Sequence, residues 1–466
     1  MSIPVTDIPV FVVDLCRTLR QAKAEAWLVG GAVRDLLRGR GAHDFDIATS
    51  ATPTEVAQIF GRKRTIPTGE KHGTVTVVVN DGNARHHVEV TTFRGEGAYR
   101  DGRRPDQVEF VRSIVEDLRR RDFTMNAIAF DPLDDKLIDP FSGQQDLTAR
   151  LIRAVGDPNE RFSEDGLRAL RAVRFAAQHQ FALDPPTEAA ITATLSVFRR
   201  VSAERIRDEL IKILAASRPS IGLDLMRKTG LMGEVWPELL EGVGCQQNRH
   251  HSHDVWHHTL AVVDQTMLQS SLGPPWIVRL AALLHDVAKP RTQEPRPDAP
   301  GEFSFYRHEY VGADLADKML RHLKFSNQER EHVVRLVLNH MFWYSAEWSA
   351  GTVRRFISRV GQQALPDLFS LREGDVRGRG KGENPGVELD ALRARVDQEI
   401  AAAAALKVAD LAIGGKEVMQ LLGCPPGPIV GEVLDELLER VLDDASLNTM
   451  EKLTELVRQR RQRPSK

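Results

Sequence analysis

The hydrophobic and polar positions divide the chain into two regimes. Within residues 10–140, strand-like and helix-like patterns are mixed. TVTVVVN (74–80) is a β-branched apolar run that predicts a buried strand, and HHVEVTTF (86–93) predicts a second one. A short apolar segment, Trp27-Leu28-Val29, runs into Gly30-Gly31 and then into a helical pattern over Ala32–Leu37. After about residue 145 the strand signals stop. Helical patterning follows, interrupted by loops at 290–302, rich in Pro and charge, and at 377–387, rich in Gly, Lys and Arg. The pattern predicts an α+β front followed by all-α domains. No repeat of 20–50 residues is visible, which argues against a solenoid.

With 466 residues the chain has room for two to four domains. Lys plus Arg total 63 against 65 for Asp plus Glu, a formal charge of -2. That balance argues against a nucleic-acid binder driven by bulk positive charge, although it leaves room for local basic tracks. One such track lies between 150 and 230, with 14 Lys plus Arg against 10 Asp plus Glu. No stretch approaches a membrane span, and the N-terminus lacks the basic region of a secretory signal. Cys16, Cys245 and Cys424 lie far apart and form no disulfide framework, which fits a reducing cytoplasm.

Two segments near the front carry chemistry. In LVGGAVRDLLRG (28–39), glycines at a strand-to-helix turn allow backbone N–H groups to approach a phosphate closely. In HDFDIAT (43–49), Asp44 and Asp46 are two apart, so in a strand both carboxylates point to one face. Adjacent carboxylates repel unless a cation neutralises them, and Mg²⁺ prefers such hard oxygen ligands. Glu89, alternating with Val88 and Val90, faces opposite to them and is a candidate third acid.

With GGxVRD and DxD both intact, the sequence resembles the nucleotidyltransferase superfamily of DNA polymerase beta. More narrowly it resembles the class II tRNA nucleotidyltransferase and bacterial poly(A) polymerase family. The resemblance implies a head domain with a mixed sheet in which Asp44 and Asp46 hold catalytic Mg²⁺. It also implies that Gly30, Gly31 and Arg34 meet the incoming triphosphate. LRRRDFTMNAIA (118–129) matches the family's RRDFTxNA, which places Arg121 near the phosphates and makes Asp122 a candidate partner for the sugar.

RFSEDGLRALRAVRF (161–175) predicts a helix with a Leu167, Leu170, Val173 stripe, Ser163 as its N-cap and Asp165 in its first turn. Asp165 is an acceptor, and Arg168 one turn later is a donor. Cytosine and adenine each set an amino donor beside a ring-nitrogen acceptor, while uracil and guanine show the reverse. An Asp–Arg pair therefore accepts C and A without a template. The segment matches the family's EDxxRxxRxxRF, which implies base reading by Asp165 and Arg168, with Arg171 and Arg174 on phosphate or sugar. FRGEGAYRDGRRPDQVEF (93–110) resembles the flexible loop of members that complete CCA, and SAERIRDELIKIL (202–214) resembles the neck-helix motif.

Most of the 15 histidines lie in the middle of the chain. The order His258, His285-Asp286, Asp375, with His308 and His340 between, resembles the HD phosphohydrolase pattern. Imidazole and carboxylate together suit a divalent metal, and a binuclear site can activate water against a phosphate ester. Lys289 is a candidate phosphate contact, and His250, His251, His253 and His257 are read as a loop lining the same pocket. The segment 406–444 resembles the family's tRNA-holding tail, with Gly414-Gly415 and Gly427 as candidate phosphate-facing turns, and 458–466 is a basic end.

The resemblance covers nearly the whole chain. It implies a nucleotidyltransferase head (1–148), a base-reading helical neck (149–230), an HD region (231–385) and a tRNA-binding helical tail (386–466). The implied enzyme adds C, C and A to tRNA from CTP and ATP, with Mg²⁺ in the head, a divalent metal of unknown identity at the HD site, no membrane and no protein partner. A poly(A) polymerase or a CC- or A-adding enzyme fits nearly the same motifs. From another class, an HD phosphohydrolase with an RNA-binding front half is the alternative, and a pure RNA-binding module leaves both acid- and histidine-rich sets unexplained.

Overall fold

The computed structural model describes residues 2–69, 72–82, 84–95, 110–248, 252–381, 386–402 and 406–461. The chain forms two compact units, Met1–Pro237 and Glu238–Lys466.

The first unit is built on a seven-stranded mixed sheet of β1 (Ala26–Val29), β2 (Asp46–Thr49), β3 (Thr65–Gly69), β4 (Thr74–Asn80), β5 (Arg85–Thr92), β6 (Ala129–Asp131) and β7 (Lys136–Ile138). Their spatial order is β3-β4-β5-β2-β1-β6-β7. The two strands expected at 74–80 and 86–93 form β4 and β5, paired antiparallel from Thr74↔Thr91 to Asn80↔Arg85. β2 is parallel to β5 and sets Asp46 opposite Glu89, while β1 lies antiparallel to β2 with Val29 opposite Asp46. The apolar side chains Leu28, Ile47, Val77 and Val90 are fully buried in the sheet. β2 begins only at Asp46, so Asp44 precedes the strand on an exposed approach segment. The expectation that both aspartates share one strand face is corrected to that extent.

At the end of β1, Gly30 turns with φ +75° into the helix Gly31–Leu37. Beyond the head, the pattern predicted as one helix from Ser163 is two. Pro158–Glu164 is capped by Asp157, whose carboxylate accepts from Asn159 and Glu160 N–H, so Ser163 lies inside a helix and caps nothing. Asp165 has extended backbone and separates it from Leu167–His179, with Gly166 between. A Cβ at Gly166 would stand 2.8 Å from the Phe198 Cα and N, so the second helix starts where only glycine lets it pack on that backbone. Leu167, Leu170 and Val173 are buried, as the stripe predicts.

The region after 145 is not wholly free of strands. Leu151–Ile152 pairs with Ala182–Leu183, and Glu294–Pro295 with Phe303–Ser304. Two-residue strands carry no periodicity for a sequence pattern to reveal. Otherwise the second unit is helical. Helices Val255–Gln265, Ile277–Leu284, His308–His322, Asn327–Asn339 and Leu365–Gly378 form its first part. Gly415–Leu422, Pro428–Asp443 and Met450–Arg461 pack around Val418, Val433, Leu437, Val441, Leu453 and Val457. The Arg354 guanidinium fastens this bundle by donating to the Leu442 and Asp443 carbonyls.

Candidate functional site

In the first unit, a cavity of about 480 Å³ gathers residues from the sheet, the Gly30 turn and the helices after 110. Gly30, Gly31, Arg34, Asp46, Glu89, Arg121, Asp165, Arg168 and Arg171 all line it. Asp44 and Arg174 do not. The Arg174 guanidinium instead pairs with buried Glu209 of the helix Ala203–Leu214 at 2.9 Å and stacks on Phe175 at 4.1 Å. Burial lowers its pKa to about 10. Arg174 thus stands outside the cavity that Arg171 lines, held against that glutamate.

The turn at Gly30 is closely overlaid. A Cβ there would stand 3.3 Å from Arg121 Nη1 and 3.6 Å from Asp46 Oδ2, so glycine is what lets the cation and the acid close over the start of the helix. Burial, then the Glu89 and Asp44 carboxylates, push Asp46 up to about 6, with Arg121 opposing. A carboxyl strained by two other acids fits an added cation, and the donor set is all hard oxygen. The three acids are more widely spread than the sets in the second unit. Among the described residues, the groups of three ligand atoms within 4.8 Å of one another lie there.

A hydrogen-bonded chain fixes the cationic wall. Arg34 donates to both Asp35 oxygens at 2.9 Å, and its Nη1 donates to Asn126 Oδ1 at 2.9 Å. Asn126 Nδ2 donates to Asp122 Oδ1, and Asp122 Oδ2 accepts from Arg171 Nε and Nη2 at 2.9 and 2.6 Å. Burial alone would raise Asp122, but Arg171 and Asn126 hold it down at about 2. Asp122, expected to meet a sugar, is thus committed to orienting Arg171. Asp117 likewise anchors Arg121 through a 3.2 Å contact.

Asp165 and Arg168 face the cavity without pairing to each other. Asp165 Oδ2 accepts from Arg205 Nη2 at 2.7 Å, and its Oδ1 accepts from the Leu167 N–H at 3.1 Å. Arg168 donates to Glu164, to the Arg161 carbonyl at 2.9 Å and to the Arg120 carbonyl at 3.1 Å. Arg205, Asp117 and Asn126 were missed from sequence. Asp117 stands four residues before Arg121 on one helical turn, and Asn126 lies in the matched motif, so both had a signal. Arg205 lies in the segment matched to the neck-helix motif, but its pairing with Asp165, 40 residues earlier, has no local signal.

In the second unit six buried side chains converge. His258, His285 and Asp375 form one ligand group, and Asp286, His308 and His340 a second. Asp286 stands between them. Its Oδ2 is 3.0 Å from His285 Nε2 and 3.5 Å from His258 Nε2, and its Oδ1 is 3.4 and 3.6 Å from His308 and His340 Nε2. His258 Nε2 is 3.2 Å from Asp375 Oδ1. Four of the six sit at or beyond helix ends. His285 and His340 close their helices, Asp286 follows His285, and His308 opens the next. Burial pulls His285 down, yet Asp286 holds it above its ordinary value, and His285 with Lys289 keeps Asp286 well below the carboxylate range against its own burial. His285 Nε2 and both Asp286 oxygens are shut off from solvent without a hydrogen bond of normal geometry, as atoms of a ligand shell would be. These residues fit a pair of divalent ions.

Lys289 is not held out for phosphate. Its Nζ lies 2.7 Å from Asp286 Oδ2 and donates to Gln247 Oε1 at 2.7 Å. His257 is exposed and pairs with Asp254 at 2.7 Å, and His253 Nε2 sits beside Gly380. His250 and His251, most of the loop at 93–110, and the end of the basic tail lie outside the described residues. In the tail, the Gly414 N–H is already taken by the Glu417 carboxylate at 2.9 Å, which removes it as a phosphate donor.

The family profiles "Poly A polymerase head domain", "Probable RNA and SrmB- binding site of polymerase A" and "HD domain" match residues 26–153, 180–242 and 255–410. A CCA-adding enzyme of Geobacillus stearothermophilus is 35% identical over 450 residues, 94% of each chain. One of Levilactobacillus brevis is 51% identical over 215 residues, 46% of this chain and 52% of that one. The chain thus spans about half the length of several curated relatives that it matches more strongly. Among solved structures, Bacillus stearothermophilus CCA-adding enzyme in complex with CTP is similar at a TM-score of 0.69, with 31% identity and 96% of each chain covered. The Thermotoga maritima CCA-adding enzyme complexed with tRNA shares the fold at a TM-score of 0.54 and 21% identity.

Proposed function

The chain belongs to the CCA-adding enzyme family, and on that premise we propose that it extends the 3′ end of tRNA with C, C and A, drawing on CTP and ATP and releasing pyrophosphate. The observation that carries the reading is the shared cavity, in which Asp46 and Glu89 face the same space as Asp165, Arg168 and Arg171. One wall supplies acids for the reacting phosphate, and the other supplies an acceptor and a donor for a base.

Asp44 and Asp46, with Glu89 beside them, would hold Mg²⁺, which would supply a lowered pKa for the tRNA 3′-hydroxyl and charge neutralisation for the triphosphate. Arg121 and Arg171, each braced by a buried aspartate, hold the triphosphate for in-line attack at its α-phosphorus. Asp165 accepts from the exocyclic amine of C or A, and Arg168 donates to the adjacent ring nitrogen. A carboxylate offers about four lone-pair sites, and Asp165 spends two on Arg205 and Leu167. The pre-set carboxylate rejects U and G because their carbonyl oxygen would meet it acceptor to acceptor, while their ring N–H would meet the Arg168 donor. The head, neck, HD and tail limits at 148, 230 and 385, the completion of the final A through the loop at 93–110, and a cytoplasmic site of action are part of the same proposal. No helix among the described residues is long and apolar enough to cross a membrane.

The buried six of the second unit favour an additional reading, a phosphohydrolase acting on phosphate esters, where a divalent ion supplies an activated water. Incubation of tRNA lacking its CCA end with labelled CTP and ATP tests the main reading. Label enters the RNA with the parent chain and not with Asp44→Ala. Undiminished incorporation by Asp44→Ala removes the metal assignment, and no incorporation by the parent removes the reading.

A further inference from the structure

A second cavity of the first unit, about 880 Å³, opens at the C-terminal ends of the helices Gly31–Leu37 and Leu167–His179. Arg38, Arg40 and Arg150 converge on it around His179. Asp35 is the acid of its wall, and Asp35 is already spent on a two-pronged bond to Arg34. Among the described residues no carboxylate pairs with Arg38, Arg40 or Arg150. Arg38 Nη1 donates to His179 Nδ1 at 2.8 Å, which keeps that imidazole neutral, and burial and the arginines push His179 down to about 3.

Cations at helix C-termini have an ordinary explanation in the dipole, and it does not suffice here. Arg38, Arg150 and Gln180 each follow a helix end. Each end carries roughly half a negative charge, about one and a half in all against three arginines. The cavity keeps a positive surplus in a place where Arg38 is already partly desolvated. Gln178, Gln180 and the Ser217 hydroxyl add neutral polar groups to the wall. The Phe181 ring is covered by Arg38 at 4.8 Å and Arg150 at 5.9 Å, so it offers no open face for stacking a base. The wall thus suits an oxyanion and has no means of reading sequence.

The same helix connects this cavity to the nucleotide cavity. Arg171 lines the first and His179 the second, eight residues on, or about 12 Å along the axis. That is about three to four base steps at ~3.4 Å per step on one strand. We propose that the Arg38–Arg40–Arg150 cavity binds a backbone phosphodiester of the substrate RNA a few steps from the reacting 3′ end, without regard to base. The inference rests on the proposed addition to tRNA.

The test measures binding of tRNA lacking CCA to Arg40→Glu and Arg150→Asn over a range of KCl concentrations. Asn suits the left-handed backbone at 150, where φ is +56°. Each substitution is expected to weaken tRNA binding about three- to tenfold at moderate salt and to lower the slope of log K against log salt by about one. KM for CTP and kcat at saturating tRNA should stay at the parent values. Lys318→Glu, the same charge change as Arg40→Glu but on the second unit, should bind as the parent does. Parent-like affinity and slope in both arginine variants, while the parent extends tRNA, overturns this proposal alone. So does an equal loss in Lys318→Glu, which makes the effect one of net charge. Weakened competition by pyrophosphate with tRNA binding intact assigns the cavity to a free diphosphate and also overturns it. A parent that extends no tRNA overturns the addition reading and this inference with it.

Discussion

Replacing Asp46 with Asn should stabilise the metal-free first unit while ending nucleotide addition. In the fold Asp46 titrates at about 6, pushed there by burial, Glu89 and Asp44 against the pull of Arg121. In the unfolded chain an aspartate titrates near ~3.9. A shift of about two units at ~1.4 kcal/mol each makes ionised Asp46 cost the apo fold at most ~3 kcal/mol. The sign follows from the raised value. Below about pH 3.8 the group is protonated in both states and costs nothing. The cost grows as pH rises toward 6 and is complete above it. Asn keeps the shape and carries no charge, so its advantage over the parent should be near zero at the acid end and largest at neutral pH. For a unit of this size, ~3 kcal/mol corresponds to a rise of roughly 6–12 °C in melting temperature. Calorimetry in chelator between pH 4 and 8 reads this, and Mg²⁺ should narrow the gap by binding only the parent. An Asn variant that melts at or below the parent at pH 7, or a gap that does not change with pH, refutes the reasoning.

Three other changes test separate parts of the site. Asp122→Asn leaves Arg171 without its buried partner and should cost about 3 kcal/mol in urea unfolding and raise KM for both nucleotides. Because Asp122 is held down at about 2, the parent's advantage should be present above about pH 3.8 and fade as pH falls toward 2. Gly30→Ala forces a side chain onto φ +75° and against Arg121, and should lower kcat for addition on the order of 10²-fold with a smaller change in melting temperature. Asp286→Ala removes the carboxylate between the two histidine groups. It should abolish divalent metal retention by the second unit, read by elemental analysis, and leave CCA addition at the parent rate.

Local signals carried much of this fold. The β-branched run at 74–80 and the alternation after it became β4 and β5, and the paired glycines became the turn that opens the next helix. Sheet order was not legible. β2 is parallel to a strand more than 40 residues later, and only that pairing sets Glu89 opposite Asp46. Spacing also could not separate Arg171 from Arg174. Both repeat at helical intervals, and the difference lies in the partner that each meets, Asp122 or Glu209. The break at Asp165-Gly166 was hidden for a related reason, since it depends on the Phe198 backbone packing against a position that looks helical in sequence. The histidine set was legible as a set because its members lie in separate segments in an ordered pattern. That Lys289 is turned into the cluster, against Asp286, follows from burial that no local pattern encodes.

On the proposed reading, one pocket adds C, C and A, in that order, and then stops. Sequencing the 3′ ends of tRNA molecules lacking CCA, after incubation with all four nucleoside triphosphates, Mg²⁺ and the parent chain, tests it most directly. The expected ends finish in CCA, with no added G or U. Runs of A beyond the third position, ends that stop at CC, or frequent G and U would contradict the reading.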